Sequence, residues 1–420
     1  MGKYERFQRW WLFVSVTGVA LIYMLFNIFY DRNLDAWRLE RLKFSFGTEY
    51  LSGSRNGTTK KILFWNTMWS NTTFYFGEGD VFHDCPNVQN CWATHDRSVI
   101  NVEEFDAVLF HGSELDSNDL PASRRDSQIY VFVNLESPAY RPITHSQFEH
   151  HFFNATMTYR LDSDVVWPYA DVRRIDDNSV VAPNLETLWN PKLDESTDPN
   201  DTRTDKSMDN ESELIKTRRK KTKPAVWFVS NCASKSGREG YANELAKHVE
   251  VDIYGKCSRE VRCAKEARRD CFREVVEPDY YFYLSFENSM CQDYVTEKLW
   301  NALKYNVVPI VYGGADYTRF VPPGSSINAL DFESPKALAN YLKRLIAEPR
   351  EYNEYFEWKK TYKIVNSNSR VICQLCQYLH ENKQKKSYSS LSDWYATDKC
   401  SLSEKLKKFQ YLTSQVLKYR

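Results

Sequence analysis

The sequence predicts an α/β protein with two facing Rossmann-like domains, a cleft between them and one transmembrane helix at the N-terminus. Short, continuous apolar runs alternate with helical patterns, which is typical of parallel strands covered by helices on both faces. A polar stretch at residues 191–223 separates two such sets, and an uncharged apolar stretch precedes them. The 420 residues are 42% hydrophobic, which suffices for two cores, and 56 basic residues balance 56 acidic ones. A net charge of zero gives no overall field that would indicate nucleic-acid binding.

The N-terminal segment indicates a membrane anchor. Residues 10–30 are 21 uncharged and mostly apolar residues, a length that spans the hydrocarbon core of a bilayer as a helix. Lys3, Arg6 and Arg9 precede this stretch, so the positive-inside rule keeps residues 1–9 in the cytoplasm. The alternative is a cleaved signal peptide, which would have a shorter apolar core and a clear small-residue cleavage site. We therefore expect a single-pass type II anchor, with residues 31–58 as a stem.

Sequons and cysteines agree with a lumenal location for the rest of the chain. Five Asn-x-Ser/Thr sequons follow the anchor, at Asn56, Asn71, Asn154, Asn200 and Asn210. Each sequon alone is a weak signal, but together with an anchor they indicate a secretory-pathway protein. In that oxidising compartment, disulfides are the expected state of most of the ten cysteines.

The strand and helix patterns fall into two predicted domains, residues 59–190 and 224–365. In the first, we expect strands at 61–66, 105–110 and 129–135. In the second, we expect strands at 225–230, 251–254, 280–286 and 307–312, and helices at 237–249, near 293–305 and at 335–347. Ser334 and Pro335 are favourable as the N-cap and first residue of the last helix.

The linker and the C-terminal segment each allow two interpretations. Residues 191–223 are rich in polar and charged residues, which predicts a solvated linker. The alternative is a basic patch for nucleic acid or an anionic glycan, but no aromatic residue interrupts the basic run at 218–223. Residues 366–420 form a C-terminal segment whose last apolar residues recur at helical spacing. This spacing predicts a helix docked on the body of the protein, with a partner-binding helix as the alternative.

The segment 286–298 is the strongest candidate for a phosphate site. An apolar strand leads through a polar turn into a helix whose first turn carries Glu297 and Lys298. Helix N-termini bind anions, Lys298 can neutralise a diphosphate, and Glu297 can bind sugar hydroxyls. We expect Tyr294 to lie one turn away on the same helix. The alternative is an ordinary amphipathic helix with a solvent-facing Glu–Lys pair.

Two further candidate motifs follow predicted strands. A small polar loop at 229–237 leads into a helix near Arg238, whose guanidinium is a bidentate donor for phosphate. Glu136 follows an apolar strand in the first domain, within the sequence Asn-Leu-Glu-Ser-Pro at 134–138. Because open parallel sheets bind ligands at the carboxyl ends of their strands, Glu136 is a candidate general base. The alternative is a capping or surface carboxylate.

Asp162 and Asp164 form an Asp-x-Asp motif that can hold Mg²⁺ or Mn²⁺. We disfavour a metal site, because the motif lies far in sequence from the phosphate-type loops and because Arg238 and Lys298 supply positive charge. We therefore expect no metal-binding residues and no required cofactor. This interpretation leaves open stimulation of activity by a divalent ion such as Mn²⁺.

Residues from about 60 to 380 resemble the α1,3-fucosyltransferases, which are inverting GT-B enzymes that use GDP-fucose. The likeness is most specific in the stretches 279–298, 307–331 and 133–138. The sequence segments 313–317 and 154–164 look most like the plant and invertebrate branch of the family, which adds fucose to the innermost GlcNAc of N-glycans. The resemblance implies a GT-B arrangement and a Golgi membrane enzyme whose catalytic part is lumenal.

The resemblance also implies roles for single residues. Glu136 matches the proposed catalytic base of the family. The residues that match GDP-fucose contacts are Arg238, Asn288, Tyr294, Glu297 and Lys298, with Arg238 and Lys298 on the diphosphate. The paired cysteines of the family match Cys85 and Cys91 with Cys373 and Cys376. Their exact pairing stays open, because four cysteines allow three connectivities.

Several functional hypotheses follow. The leading one is transfer of fucose from GDP-fucose to the core GlcNAc of an N-glycan or glycoprotein, and the runner-up is antennal, Lewis-type α1,3-fucosylation. A catalytically inactive glycan-binding relative is disfavoured, because Glu136, Arg238 and Lys298 are all present. A metal-dependent transferase built on Asp162 and Asp164 is the remaining alternative. The sequence does not indicate the oligomeric state.

Overall fold

The computed structural model describes residues 58–189, 221–258, 270–382 and 386–400. The predicted anchor, the stem up to residue 57, the helix predicted after residue 400 and the sequons Asn56, Asn200 and Asn210 lie outside these residues. Among the residues that are described, no helix is both long enough and apolar enough to cross a bilayer.

The first sheet contains six parallel strands in the order β2-β1-β3-β4-β5-β6. Their bounds are β1 Lys60–Phe64, β2 Cys91–Thr94, β3 Ala107–His111, β4 Ile129–Asn134, β5 Ala155–Thr158 and β6 Val165–Val166. The predictions for β1, β3 and β4 are confirmed to within two residues. The other three strands have no counterpart among the predicted ones, because runs of four or fewer residues carry too little pattern.

A small antiparallel sheet joins distant parts of the chain in the order β14-β7-β8. Its strands are β7 Asp171–Arg174, β8 Val180–Ala182 and β14 Tyr362–Val365.

The remaining sheet has five parallel strands in the order β10-β9-β11-β12-β13. Its strands are β9 Lys223–Phe228, β10 Val251–Tyr254, β11 Tyr280–Phe286, β12 Val308–Tyr312 and β13 Ile327–Asn328. The predicted strands correspond to β9 to β12, although β9 already begins at Lys223, inside the segment predicted as a linker. β12 is buried along its whole length, as a continuous apolar run predicts.

The described helices cover these sheets. They are α1 Arg238–Ala246, α2 Glu277–Asp279, α3 Glu297–Leu303, α4 Pro335–Ala347, α5 Pro349–Glu354, α6 Asn368–Glu381 and α7 Leu391–Tyr395. The prediction for α4 is confirmed, and its N-cap Ser334 accepts a hydrogen bond from Ala337 N at 3.2 Å. The predicted start of α3 near residue 293 is wrong. Asp293 has a φ of +59° and Thr296 has an extended backbone, so the helix begins only at Glu297.

Both parallel sheets share one strand order. Counted from the first strand of each half, both begin 2-1-3-4-5, which is the flavodoxin-like doubly wound order. In such sheets the ligand crevice opens at the carboxyl ends of the strands where the order reverses. The crevices therefore lie between β1 and β3 and between β9 and β11.

Helix α6 packs against the first sheet. Val371 and Leu375 of α6 belong to the same buried core as β1, β3 and β4. Two disulfides fix this helix: Cys85–Cys373 links it to the segment before β2, and Cys91–Cys376 links it to the first residue of β2. The four predicted cysteines are thus confirmed, and the structure supplies the pairing that the sequence left open.

Two more disulfides occur among the described residues. Cys232 pairs with Cys257, and Cys291 pairs with Cys400. The first pair had a readable signal, since Cys232 and Cys257 each follow one of the adjacent parallel strands β9 and β10. The second pair links the segment before α3 to the C-terminal segment.

Candidate active site

The crevice of the second sheet opens where the loop after β9 meets the end of β11. This loop, residues 229–237, is the polar loop that the sequence predicts to bind phosphate. Ser236 holds it in place: its main-chain N–H donates to Asn288 O at 3.0 Å, and its hydroxyl donates to Glu287 O at 2.7 Å. The loop therefore lies directly against the residues that follow β11.

Arg238, the first residue of α1, braces the same loop. It is buried, with 3% of its surface exposed. Its guanidinium donates to Phe286 O at 2.6 Å, to Asn231 O at 3.2 Å and to the Glu239 carboxylate at 3.2 Å. These bonds use three of the five guanidinium N–H groups. The positive charge of Arg238 also reaches Lys298, whose protonation it opposes.

Lys298 is the centre of a charged cluster in the first turn of α3. Its ammonium group lies 3.2 Å from Glu287 Oε2 and 3.1 Å from Glu297 Oε1, and it donates to Thr296 Oγ1 at 2.6 Å. Burial lowers the pKa of Lys298, but the two carboxylates outweigh burial and the pKa is raised. Lys298 therefore carries a full positive charge at the crevice.

The two carboxylates beside Lys298 differ in their surroundings. The side chain of Glu297 is 56% exposed. Desolvation by the surrounding protein raises the pKa of Glu297, but the charge of Lys298 and its hydrogen bond outweigh desolvation, so the pKa is lowered. Glu287 is 1% exposed and accepts hydrogen bonds from Thr296 N at 2.8 Å and Thr296 Oγ1 at 3.0 Å. Burial raises the pKa of Glu287, and the Lys298 ammonium opposes that shift. The buried carboxylate depends on its partners to stay ionised.

On the first sheet, Glu136 lies just beyond β4 and is half-buried. Its Oε1 accepts from Ser137 N at 3.0 Å, and its own main-chain N–H donates to Asn134 Oδ1 at 3.1 Å. Tyr395 of α7 donates to the main-chain carbonyl of Glu136. The backbone that carries the carboxylate is thus fixed from two sides.

Contacts across the crevice bring Glu136 to the second sheet. The Tyr294 hydroxyl donates to Glu136 Oε1 at 2.5 Å, across 158 residues of sequence. The hydroxyls of Ser137 and Ser289 lie 2.7 Å apart. These bonds place the segment after β4 directly against the segment between β11 and α3.

The Tyr169 hydroxyl interacts electrostatically with Glu136 and with Glu287 and Glu297 of the Lys298 cluster. It donates to Leu135 O at 2.6 Å. Burial raises the pKa of Tyr169 well above its usual value, and the charges of Glu297, Glu136 and Glu287 raise it further. Carboxylates from both sides of the crevice therefore raise the pKa of this one hydroxyl, in agreement with the hydrogen bond from Tyr294 that joins Glu136 to the segment before α3.

The structure brings the predicted catalytic residue and the predicted donor-binding residues to this crevice, but two of them differ from expectation. Tyr294 was predicted one helical turn from Glu297; this is wrong, because Tyr294 precedes α3 and its ring is buried against Tyr159 at 5.1 Å. Asn288 uses its main-chain carbonyl to hold the loop, while its Oδ1 accepts from the Ser289 hydroxyl at 2.9 Å.

Sequence reasoning missed several members of the site. Glu287 had a signal, because it directly follows a buried strand, as does the segment that carries Glu136. Thr296 lies between two motif residues and is the N-cap of α3, although its side chain accepts from Lys298 instead of capping the helix. Tyr169 and Tyr395 had no signal, since they reach the site from distant elements.

The Asp-x-Asp motif has structural partners within the chain. Both oxygens of Asp162 accept from the buried Arg160, whose Nε lies at 2.9 Å. Asp164 accepts from Lys386 Nζ at 2.8 Å and from the Tyr388 hydroxyl at 2.7 Å. Asp164 thus binds the C-terminal segment directly, whereas Asp162 binds Arg160, which itself donates to Trp394 O of that segment.

Two predicted sequons lie among the described residues. Asn71 Oδ1 accepts from Tyr75 N at 2.8 Å and from Thr73 N at 3.0 Å. Asn154 Nδ2 donates to Lys386 O at 2.8 Å, so its amide nitrogen is already engaged. Their occupancy stays a prediction.

Comparison with known proteins gives the family. Residues 218–394 match the family "Glycosyltransferase family 10 (fucosyltransferase) C-term", and residues 57–170 match "Fucosyltransferase, N-terminal". The Alpha-(1,3)-fucosyltransferase C of Drosophila melanogaster is 36% identical over 363 residues, which are 83% of this chain and 80% of that protein. The 4-galactosyl-N-acetylglucosaminide 3-alpha-L-fucosyltransferase 9 of Bos taurus is 32% identical over 84% of this chain and 86% of its own length.

Among solved structures, a crystal structure of an α1,3-fucosyltransferase with GDP-fucose is similar to 82% of this chain and 97% of its own, with a TM-score of 0.45 and 17% identity. The two family matches and the long alignments with the fly and bovine enzymes lead to one conclusion: the chain belongs to the α1,3-fucosyltransferases of glycosyltransferase family 10.

Proposed function

We propose that this enzyme transfers L-fucose from GDP-fucose, with inversion, in α1,3 linkage to a GlcNAc of N-glycans. The observation that carries the proposal is the hydrogen bond from Tyr294 to Glu136. It holds a carboxylate of the first sheet in the same crevice as the Lys298 cluster of the second. We propose that the crevices of the two sheets face each other, as in a GT-B enzyme.

Glu136 acts as the general base. The acceptor hydroxyl must lose a proton as it attacks the anomeric carbon of fucose, and a carboxylate within hydrogen-bond reach can take it. Among the described residues, Glu136 Oε1 accepts hydrogen bonds from the Tyr294 hydroxyl and from the main-chain N–H of Ser137. Oε2 is then the atom that receives the proton.

Lys298 and Arg238 stabilise the departing GDP. Preorganised positive charge lowers the barrier where negative charge develops, here on the β-phosphate. An inverting glycosidase needs a second carboxyl group to protonate its leaving group, but GDP leaves without one. A single carboxylate with two cations is therefore sufficient for the displacement, and we propose that no metal ion is required. Glu297 and Asn288 complete the donor contacts.

The crevice of the first sheet is the proposed site of the acceptor, since Glu136 follows β4, which pairs with β3 beside this crevice. We propose the innermost GlcNAc as the acceptor, because the phrases at 313–317 and 154–164 resemble the branch that modifies it. The bovine relative, whose name specifies a galactosyl-N-acetylglucosaminide, favours a second candidate, the antennal GlcNAc.

We also propose a Golgi membrane location with a lumenal catalytic part. The disulfides support an oxidising compartment, and residues 10–30 have the length and composition of a signal anchor.

The test is an acceptor screen with the purified enzyme and GDP-fucose. Defined N-glycopeptides either expose the core GlcNAc alone or carry galactosylated antennae, and mass spectrometry locates the added fucose. Fucose on the core supports the proposal, whereas fucose on the antennae alone selects the second candidate. No transfer to either acceptor, together with no release of GDP, would identify an inactive relative.

A parallel reaction with excess chelator tests the metal-independent mechanism. Full activity is expected; loss of activity that added Mn²⁺ restores would show that a metal takes part in the reaction.

A further inference from the structure

The Tyr317 hydroxyl is a buried polar group beside the proposed donor site. Tyr317 opens the 3₁₀ turn Tyr317–Arg319 after β12. Its hydroxyl is shielded from solvent and has no hydrogen-bond partner among the described residues. A Cβ on Gly313 would stand 2.4 Å from this hydroxyl and 3.3 Å from Glu287 Cγ. Gly313 therefore leaves the space in which the hydroxyl lies beside Glu287.

A buried hydroxyl without a partner destabilises the state in which it occurs. Such a group calls for an explanation, and one explanation is a partner in another state of the protein. Glu287 is the charged neighbour of Tyr317: burial raises the pKa of Tyr317 well above its usual value, and the charge of Glu287 raises it further. The neighbour with which a bond can form is thus the buried carboxylate.

Lys298 shows why Glu287 would need another donor. An ammonium group has three N–H donors, and Lys298 already contacts Glu287, Glu297 and Thr296. An incoming phosphate oxygen must displace one of these contacts. The contact with Glu287 is the longest of the three, at 3.2 Å.

Glu287 cannot turn to water when it loses Lys298, because it is 1% exposed. Glu297, in contrast, has a side chain that is 56% exposed. Thr296 already donates to Glu287 in the free protein, so it offers no new bond. Among the described residues, the charged and titratable groups that interact electrostatically with Glu287 include Lys298, Glu297 and the hydroxyls of Tyr169, Tyr283, Tyr294 and Tyr317.

We propose that the Tyr317 hydroxyl becomes the donor to Glu287 when the diphosphate of GDP-fucose takes the Lys298 ammonium away from it. The carboxylate then stays ionised in the donor complex, and Lys298 is free to neutralise phosphate. Tyr317 is thus a positioning residue for donor binding. This inference rests on the proposed function, specifically on Lys298 as a diphosphate ligand.

The experiment measures GDP binding by calorimetry to wild type and Tyr317→Phe, from pH 7.0 to 8.5, in buffers of different ionisation enthalpy. In the variant, Glu287 must take up a proton when Lys298 leaves it. GDP should therefore bind roughly ten- to a hundredfold more weakly, with up to one additional proton taken up. The loss of GDP affinity in the variant relative to wild type should grow as pH rises, because Glu287 is protonated less readily at higher pH.

Two further readouts separate this role from a merely structural one. The ligand-free variant should melt at or above the wild-type temperature, because it loses a hydroxyl that has no bond. In turnover, KM for GDP-fucose should rise while kcat stays close to wild type. The control is Tyr241→Phe, whose hydroxyl donates to Ala329 O at 2.9 Å; it should melt lower and show no additional proton uptake.

Three outcomes would overturn the inference. Unchanged GDP affinity in the variant would show that Glu287 keeps Lys298. Weaker binding without proton uptake would mean that the hydroxyl touches GDP directly. A lower melting temperature of the free variant would mean that the hydroxyl is bonded in the free protein. If wild type itself fails to bind GDP, the proposed function fails instead.

Discussion

Glu136 shows how much a single side chain owes to its surroundings. The carboxylate is half-buried, and its Oε1 is held by Tyr294 and by Ser137 N. Its chemical type and its place after a strand were predictable, because parallel sheets present such residues at one edge. Its partner was not, because Tyr294 lies 158 residues away in sequence.

We expect Glu136→Gln to lower kcat by about 10²-fold or more, since a glutamine cannot take the proton of the acceptor. KM for GDP-fucose should stay near the wild-type value, because the donor is bound by the second sheet. Steady-state kinetics of GDP release measures both constants. The matched control is Glu186→Gln, at an exposed carboxylate, which should retain wild-type rates. Wild-type kcat in Glu136→Gln would show that another group is the base.

Tyr294→Phe should lower kcat roughly tenfold, because the loss of one hydrogen bond to a charged group leaves the base less well oriented. KM for GDP-fucose should not change if Tyr294 positions Glu136, whereas a direct donor contact predicts a raised KM with unchanged kcat. Tyr159→Phe, whose ring packs on Tyr294 at 5.1 Å, serves as the control and should keep both constants.

At the scale of elements, strands and helix starts followed from local pattern. β11 and α4 agree with prediction, since an apolar run and a Ser–Pro helix start are properties of neighbouring residues. The start of α3 did not follow. Residues 293–296 look helical in sequence, but Asp293 adopts a left-handed backbone and its side chain accepts from Leu161 N at 3.2 Å. A tertiary hydrogen bond therefore overrides local propensity there.

Ser334→Ala tests the N-cap of α4. The substitution removes the acceptor for Ala337 N, so we expect a loss of about 1 kcal/mol in the free energy of unfolding. Urea denaturation measures the loss. Ser334→Asp, which keeps an acceptor at this position, should remain within a few tenths of a kcal/mol of wild type. An equal loss in both variants would contradict a capping role.

At the scale of the whole molecule, two disulfides link α6 to β2 and to the segment before β2. Cys85–Cys373 and Cys91–Cys376 span 288 and 285 residues. When one is present, the other closes only a short additional loop. Their contributions to stability should therefore depend on each other, because loop entropy counts only the chain that is newly closed.

Replacing either pair by alanines should cost about 3 kcal/mol in the free energy of unfolding, as for a short loop. Replacing the second pair as well should cost about 5 kcal/mol more, because the long loop is then released. Denaturation of the wild type, the two double variants and the quadruple variant tests this order. Equal, additive losses would contradict it.

A buried lysine makes stability depend on pH. Burial lowers the pKa of Lys221 to about 7, with Glu277 opposing and Lys359 adding to the shift. Between about pH 7 and its ordinary value of 10.5, the unfolded state binds a proton that the folded state lacks. The free energy of unfolding therefore rises with pH through this window, and it falls again as pH is lowered towards 7, where the buried lysine becomes protonated. Below pH 7 both states are protonated, and the group adds no further slope.

Lys221→Met should flatten this rise. The difference in the free energy of unfolding between wild type and variant should shift in favour of wild type from pH 7 to pH 9.5, measured by urea denaturation. The control is Lys336→Met, at an exposed lysine of α4, which should keep the wild-type slope. A constant difference between wild type and Lys221→Met would mean that Lys221 titrates normally.

The sequence by itself determined the α/β class and the roles of Glu136 and Lys298 as candidate base and phosphate ligand, because strand patterns, turns and motifs are properties of neighbouring residues. The family resemblance of the sequence indicated which four cysteines form disulfides. Only the tertiary structure decided that Tyr294 binds Glu136, that Glu287 shares Lys298, that Tyr317 lies beside Glu287 and which cysteines pair. Those contacts join residues that are far apart in the chain. They depend on the strand order of two sheets and on the packing between them, which no local pattern encodes.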